Sequence, residues 1–185
     1  MSRPTASAEG AMDHERYPDG YLRELLGSLQ SVAIVGASNK DVRPSYFVAA
    51  YLLDKGYRVF PINPGLAGKS ILGQTVYANL RDVPEQIDMV DIFRASDSAP
   101  AIVEEALALQ PLPKVIWMQI GVRNDAAAFR AEQAGLRVVM NRCPKIEYGR
   151  FSGEIGWMGV NSRTLSSKKP TLRAGFQHRG LTRPD

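Results

Sequence analysis

The sequence has 185 residues, of which 44% are hydrophobic and 23% charged, a composition typical of one globular domain. No apolar run approaches the roughly 18 residues that a membrane span needs, and residues 1–10 lack the apolar region of a secretory signal. A single cysteine, Cys143, excludes an internal disulfide and suits a reducing compartment, so we expect a cytoplasmic protein.

The positive charge is concentrated at one end of the chain. The formal net charge is +4, but residues 163–185 hold six basic residues against one acidic residue, which more than accounts for it. We therefore predict a flexible lead over residues 1–16, a folded domain over 17–162 and a basic, disordered tail over 163–185. This distribution disfavours nucleic acid as the partner of the folded domain.

Hydrophobic periodicity predicts strands that alternate with helices along most of the chain. An amphipathic helix over residues 17–29 comes first, and a short irregular or extended piece over residues 66–81 interrupts the alternation. The predicted strands are 32–35, 57–62, 89–93, 114–118 and 136–140, and the helices between them are 44–55, 99–109 and 124–134.

Short β-branched strands joined by helices are typical of βαβ units with right-handed crossovers. We predict an α/β, doubly wound, Rossmann-like fold, with about five parallel strands in the spatial order 3-2-1-4-5. The ligand should then lie at the carboxyl edge of the sheet, where the order reverses between the first and fourth strands.

The loop after the first strand is the best candidate for contact with a ligand. Gly36, Ala37 and Ser38 are small enough for a close backbone approach, and Pro44 suits the first turn of the next helix. Strand, small-residue loop and helix start form an arrangement that binds phosphate. The loop departs from the G-x-G-x-x-G pattern at positions 38 and 41, so a tight turn that binds nothing stays open.

The end of the second strand argues against a nicotinamide cofactor. That cofactor normally requires an acidic residue there to bind the ribose hydroxyls, and this chain has Asn63 and Pro64 instead. The same edge of the sheet is surrounded by the cations Lys40, Arg43, Lys69 and Arg94. Cations in this number favour a ligand with several phosphates.

Several motifs in this order resemble those of the stand-alone CoA-binding domain family. They are Val-Ala-Ile-Val-Gly-Ala-Ser, Pro-Ile-Asn-Pro, Ile-Leu-Gly, Val-Asp-Ile-Phe-Arg, Ile-Trp-Met-Gln-Ile-Gly-Val and Val-Val-Met-Asn-Arg-Cys, which together run from about Ser31 to Glu147. The chain is similar, more distantly, to the CoA-binding domain of the succinyl-CoA synthetase α subunit.

The resemblance implies a site for coenzyme A or an acyl-CoA at the strand ends. The phosphates would meet Gly36, Ala37 and Ser38, the nucleotide half would lie by Asn63, Pro64 and Lys69, and Phe93 and Arg94 would border the adenine or pyrophosphate. Gln119, Ile120 and Gly121 would border the pantetheine arm. Lys40, Arg43 and Pro44 complete the predicted cofactor site.

The sequence lacks an evident catalytic pair. The synthetase's phosphorylated histidine lies in another domain, and the two histidines of this chain, His14 and His178, fall in its predicted lead and tail. Cys143 is interpreted either as a nucleophile beside Arg142 or, more simply, as a structural thiol. We therefore expect non-catalytic binding and no metal site.

Two alternatives of other classes stay open. One is an NAD(P)-dependent oxidoreductase, or another nucleotide-binding enzyme, on the same fold. The other is an interaction module that works through the basic tail. A protein partner or a homo-oligomer is compatible with the sequence under each hypothesis.

Overall fold

The computed structural model describes residues 12–153, which form a parallel sheet between two layers of helices. The strands are β1 (Ser31–Val35), β2 (Arg58–Ile62), β3 (Ser70–Ile71), β4 (Gln74–Thr75), β5 (Met89–Ile92), β6 (Val115–Met118) and β7 (Arg137–Val139). The helices are α1 (Asp19–Gly27), α2 (Pro44–Asp54), α3 (Ala99–Leu107), α4 (Asp125–Gln133) and α5 (Pro144–Phe151). The α/β doubly wound class and the five parallel strands are confirmed.

The predicted strand order 3-2-1-4-5 is wrong. The sheet runs β2-β1-β5-β6-β7, so the third long strand, β5, lies between β1 and β6 instead of at the edge. Pro61 supplies a physical reason, because proline cannot donate to a ladder and its strand β2 therefore belongs at an edge. The order now reverses between β1 and β5, and the crevice expected to bind a ligand moves with it.

Two hydrophobic cores cover the two faces of the sheet. Side chains of α1, α2 and α5 pack on one face, against alternate strand residues such as Ile34 and Trp117. Side chains of α3 and α4 pack on the other face, against Val90 and Ile116. Strands buried on both faces give the continuous apolar runs seen in the sequence.

Local signals explain where the helices begin. α2 begins at Pro44, and α4 is capped by Asn124, whose side-chain oxygen accepts from the amide of Ala127 at 2.9 Å. Both starts were predicted. The sequence analysis did not predict α5, which follows β7 after a short loop and, like α2, has a proline as its first residue.

The small antiparallel strands β3 and β4 lie in the connection between β2 and β5, where the sequence analysis predicted a short irregular or extended piece over residues 66–81. Within residues 12–153, no helix has the length and apolar character that crossing a membrane requires. The predicted tail over 163–185 lies outside the described residues. Of the predicted lead, residues 12–16 are described, and His14 lies 3.2 Å from Glu132 of α4. The boundary at residue 16 stays a prediction.

Candidate functional site

A cavity of about 940 Å³ opens at the carboxyl edge of the sheet, beside the ends of β1 and β5, the neighbouring strands at which the strand order reverses. The loops after β1, β2, β5 and β6 form it together with the first turns of α2 and α5. Its lining residues are Gly36, Ala37, Ser38, Asn39, Lys40, Arg43, Pro44, Ser45, Phe47, Val48, Asn63, Gly65, Leu66, Phe93, Gln119, Ile120, Val122, Cys143, Lys145 and Ile146.

The β1–α2 loop is fixed by the neighbouring strand. The amides of Gly36 and Ala37 both donate to the carbonyl of Ile62, at 3.0 and 3.2 Å. These two amides are therefore already used and are not free donors for a phosphate. Within residues 12–153, the amides of Ser38 and Asn39 have no such protein acceptor, so the donors lie one step further along the loop than the sequence indicates.

Asn63 joins two of the loops that form the cavity. Its side-chain amide nitrogen donates to the carbonyl of Ala37 at 2.7 Å, and its oxygen accepts from the amide of Gly65 at 2.9 Å. The position at the end of β2 that would hold a ribose-binding acid is thus occupied by an amide that orders the protein's own loops.

The electrostatic character of the cavity is one-sided. Lys40, Arg43 and Lys145 line it, and no aspartate or glutamate among the residues described does. Asp41, which would repel a pyrophosphate, is exposed and lies outside the lining. These positive charges attract an anionic ligand, because no carboxylate of the cavity wall competes with the ligand for them.

Two helix N-termini point at this cavity. Pro44 and Ser45 of α2 line it, as do Cys143, the N-cap of α5, and Lys145 in the first turn of α5. The first amides of a helix lack intrahelical acceptors, and the helix dipole is positive at this end. Both helices therefore add partial positive charge to that of the cations.

The rest of the wall is apolar. Phe47 and Val48 come from α2, Leu66 from the loop after β2, Phe93 from the end of β5 and Ile146 from α5. A cavity with cationic and apolar parts suits a ligand that has phosphates at one end and an uncharged chain at the other.

One buried carboxyl lies directly beside this wall. Asp91 of β5 is fully buried, and Gln119, at the end of β6, donates its side-chain nitrogen to both carboxyl oxygens, at 3.0 and 3.1 Å. Burial raises the pKa of Asp91 well above its ordinary value, and the hydrogen bond from Gln119 partly opposes this rise because it favours the ionised form.

Cys143 lines the cavity but is not an activated thiol. Its side chain is buried, and burial raises the pKa of the thiol to about 11, while Arg142 turns its guanidinium to the ring of Tyr17. The structural interpretation of this cysteine is therefore favoured over the nucleophile.

We expect Cys143 to react slowly with iodoacetamide. A pKa raised from 9.0 to about 11 lowers the thiolate fraction at pH 8 by about 100-fold, and burial slows the reaction further. The rate should climb as the pH rises toward 11, since deprotonation supplies the nucleophile. Mass spectrometry of the alkylated protein measures this rate. Alkylation of the folded protein as fast as that of free cysteine at pH 8 would contradict the buried-thiol assignment.

The structure brings together most of the predicted site residues. Ten line the cavity, namely Gly36, Ala37, Ser38, Lys40, Arg43, Pro44, Asn63, Phe93, Gln119 and Ile120. Pro64 and Arg94 line an adjoining cavity of about 440 Å³, which shares Gly36, Asn63 and Gly65 with the first. Lys69 and Gly121 line neither cavity.

Apart from Pro44, sequence reasoning missed the residues of α2 and α5 that line the wall, in particular Phe47, Lys145 and Ile146. Pro144, in the chain shortly after β7, signals the start of a helix as Pro44 does, but it does not indicate that this helix packs beside α2. In the part of the chain that the structure describes, no cluster of three or more His, Cys, Asp or Glu side chains could hold a metal ion.

Fold and cavity together define a class of protein. In this domain the cationic cavity lies where the strand order reverses, at the topological switch point of the sheet. A doubly wound α/β domain with such a cavity has the architecture that binds nucleotides and related phosphate ligands.

Comparison with known proteins identifies the family within that class. Residues 30–149 match the family model described as a CoA binding domain, so the chain belongs to this family. The uncharacterized protein YneT of Bacillus subtilis is 31% identical over 127 residues, which span 69% of this chain and 91% of that protein.

A solved structure, of a hypothetical protein from Pyrococcus horikoshii, superposes with a TM-score of 0.68 at 34% identity. The superposition covers 80% of this chain and 98% of that one. The alpha subunit of an ADP-forming acetate–CoA ligase from Pyrococcus furiosus is 30% identical over 86 residues, which span 44% of this chain but only 19% of the subunit.

Proposed function

We propose that this protein binds coenzyme A, or an acyl-CoA, in the cavity at the β1–β5 switch point, without catalysing a reaction there. Membership of the CoA-binding domain family supports the choice of ligand. The observation that carries the proposal is the cavity itself, with three cations, no lining carboxylate among the described residues, and an apolar wall.

The phosphates would lie over the β1–α2 loop. The amides of Ser38 and Asn39 and the first turn of α2 supply uncharged donors, and Lys40, Arg43 and Lys145 supply charge. Arginine can hold a phosphate through two parallel hydrogen bonds, whereas lysine acts as a point charge.

The pantetheine arm would run along the apolar wall toward Gln119 and Ile120. This arm carries amides in an otherwise apolar chain, and the wall offers the Gln119 side chain among Phe47, Phe93 and Ile146. The nucleotide end would extend toward the adjoining cavity, which Arg94 lines.

Two other functions have less support. A nicotinamide cofactor would find Asn63, whose side chain is used by the loops, in place of the ribose-binding acid. The ligase activity named for the Pyrococcus furiosus relative belongs to a much longer protein, of which this chain matches 19%. We therefore propose binding alone.

Calorimetric titration with coenzyme A, dephospho-CoA and NAD tests the proposal. We expect saturable binding of coenzyme A and at least about tenfold weaker binding of dephospho-CoA, since loss of one phosphate removes a charge-assisted contact. Binding of NAD in preference to coenzyme A would instead favour the oxidoreductase alternative. If none of the three binds, the proposal is wrong.

A further inference from the structure

Asp91 is a costly residue at its position. It lies on β5 between Ile34 of β1 and Trp117 of β6, on the face of the sheet that packs against α1, α2 and α5. Its neighbours in the strand register are thus two fully buried apolar side chains, and its own exposure is 0%. A carboxyl in such surroundings destabilises the fold unless hydrogen bonds compensate it.

Gln119 supplies the compensation that the structure shows. The Gln119 Nε2 atom lies 3.0 Å from Oδ1 and 3.1 Å from Oδ2 of Asp91, so both carboxyl oxygens face the same amide nitrogen. The backbone of Gln119 is also fixed, because its amide donates to the carbonyl of Ile92 and its carbonyl accepts from the amide of Val122.

This contact decides which end of the Gln119 amide faces the cavity. With Nε2 turned inward to Asp91, the Oε1 atom is the end left for the cavity that Gln119 lines. In the part of the chain that is described, every buried side-chain nitrogen or oxygen has a hydrogen-bond partner. The hydrogen bonds of the Gln119 side chain there use Nε2 and not Oε1, so Oε1 is not a buried atom. The atom is therefore exposed to the cavity as a free acceptor.

We propose that Asp91 is a positioning residue that orients the Gln119 amide, so that its oxygen accepts a hydrogen bond from an amide N–H of the pantetheine arm. This proposal rests on the proposed function. Gln119 would then distinguish complete coenzyme A from its nucleotide half, because the nucleotide half lacks the pantetheine amides.

The substitution Asp91→Asn tests the orientation with almost no change in volume. One of the two atoms that face Gln119 Nε2, at 3.0 and 3.1 Å, then becomes an NH₂ group, and two donors oppose each other. Turning the Gln119 amide removes this opposition, because its oxygen then accepts from the new NH₂ group, and the amide presents a donor to the cavity where an acceptor is needed. Calorimetry should then show coenzyme A binding weakened about tenfold, the effect of losing one hydrogen bond. Binding of the nucleotide half, adenosine 3′-phosphate 5′-diphosphate, should change by less than about twofold, because it does not reach Gln119.

Gln119→Met serves as the matched variant, since it keeps the length of the side chain and removes the amide. It should weaken coenzyme A binding about as much as Asp91→Asn, and the double variant should be no weaker than Gln119→Met alone within about twofold. Additive losses in the double variant would overturn the proposal, because they would mean that Asp91 acts independently of Gln119.

The two ligands separate failure of the inference from failure of the proposed function. If wild-type protein binds neither coenzyme A nor its nucleotide half, the proposed function is wrong and the inference with it. If wild-type protein binds both and Asp91→Asn weakens both equally, Asp91 has only a structural role, and the proposed function stands.

A ligand-independent measurement keeps the inference testable even if Asp91→Asn fails to fold. Hydrogen exchange of the wild-type Gln119 side-chain amide, assigned by the loss of its NMR signals in Gln119→Met, should be slow because its nitrogen is bonded to a buried carboxyl. Exchange as fast as that of an exposed glutamine amide would overturn the proposed orientation.

Discussion

Replacing Arg43 and Lys145 together by alanine should weaken coenzyme A binding by about 100-fold, with each single substitution contributing about tenfold. Each side chain lies at the start of a helix that lines the cavity, α2 for Arg43 and α5 for Lys145. A charge-assisted hydrogen bond to phosphate contributes about 1.5–3 kcal/mol, and partial exposure of both cations places the expected loss at the lower end. Calorimetry at a fixed ionic strength measures the change.

Arg81→Ala is the matched control for this experiment. Arg81 is an exposed cation that lines neither cavity, so its loss lowers the total charge without changing the site. Its affinity for coenzyme A should stay within about twofold of wild type at ordinary salt, where distant exposed charges are screened. If Arg81→Ala weakens binding as much as Arg43→Ala does, overall charge attracts the ligand and the cavity assignment is wrong.

The strands were predictable because their signal is local. Runs such as Val32 to Val35 are apolar throughout, and a strand buried on both faces requires exactly such a run. The strand order is a non-local property, and the one residue that constrains it is Pro61. A proline within an otherwise apolar strand marks an edge, and this rule would have excluded the order 3-2-1-4-5.

The site was predictable where strand ends alone determine it. Parallel strands bring the residues after them to one edge, and Ser38, Asn63 and Gln119 line a single cavity there. The contribution of α5 depends on how a helix packs beside α2, which no local pattern specifies. Lys145 was missed for this reason, and Lys69, close in sequence to the strand end, lies outside both cavities.

The roles of individual groups were harder still to predict than their positions. Asp91 stands within an apolar strand, and only the structure shows that Gln119 donates to it. The amides of Gly36 and Ala37 looked available from the sequence, yet the carbonyl of Ile62 accepts from both. The residues themselves indicated a ligand with several phosphates, while the choice of coenzyme A depended on the family resemblance.

Gly36→Ala should destabilise the protein by about 2–4 kcal/mol and weaken coenzyme A binding about tenfold. The backbone of Gly36 has φ +91°, a conformation that strains any residue with a β-carbon by about 1–3 kcal/mol. An added β-carbon would also lie 3.0 Å from Cδ of Arg94 and 3.3 Å from the carbonyl carbon of Phe93. The loop and the end of β5 must then separate, and this moves the donors that the phosphates require.

Two other glycines separate the backbone strain of Gly36→Ala from the steric contact of the added β-carbon. Gly135 has φ +88° but no neighbour within 4 Å of an added β-carbon, so Gly135→Ala measures the conformational strain alone. Gly20, in α1, has neither a positive φ nor a neighbour, and Gly20→Ala should stabilise the protein by about 0.5–1 kcal/mol. Urea unfolding measures the free energy of unfolding of all three variants. Because β1 and β5 approach closely, Gly36→Ala should lower this free energy clearly more than Gly135→Ala does. Equal losses would mean that Gly36 is needed for its backbone conformation only, and that the two strand ends have room for a side chain between them.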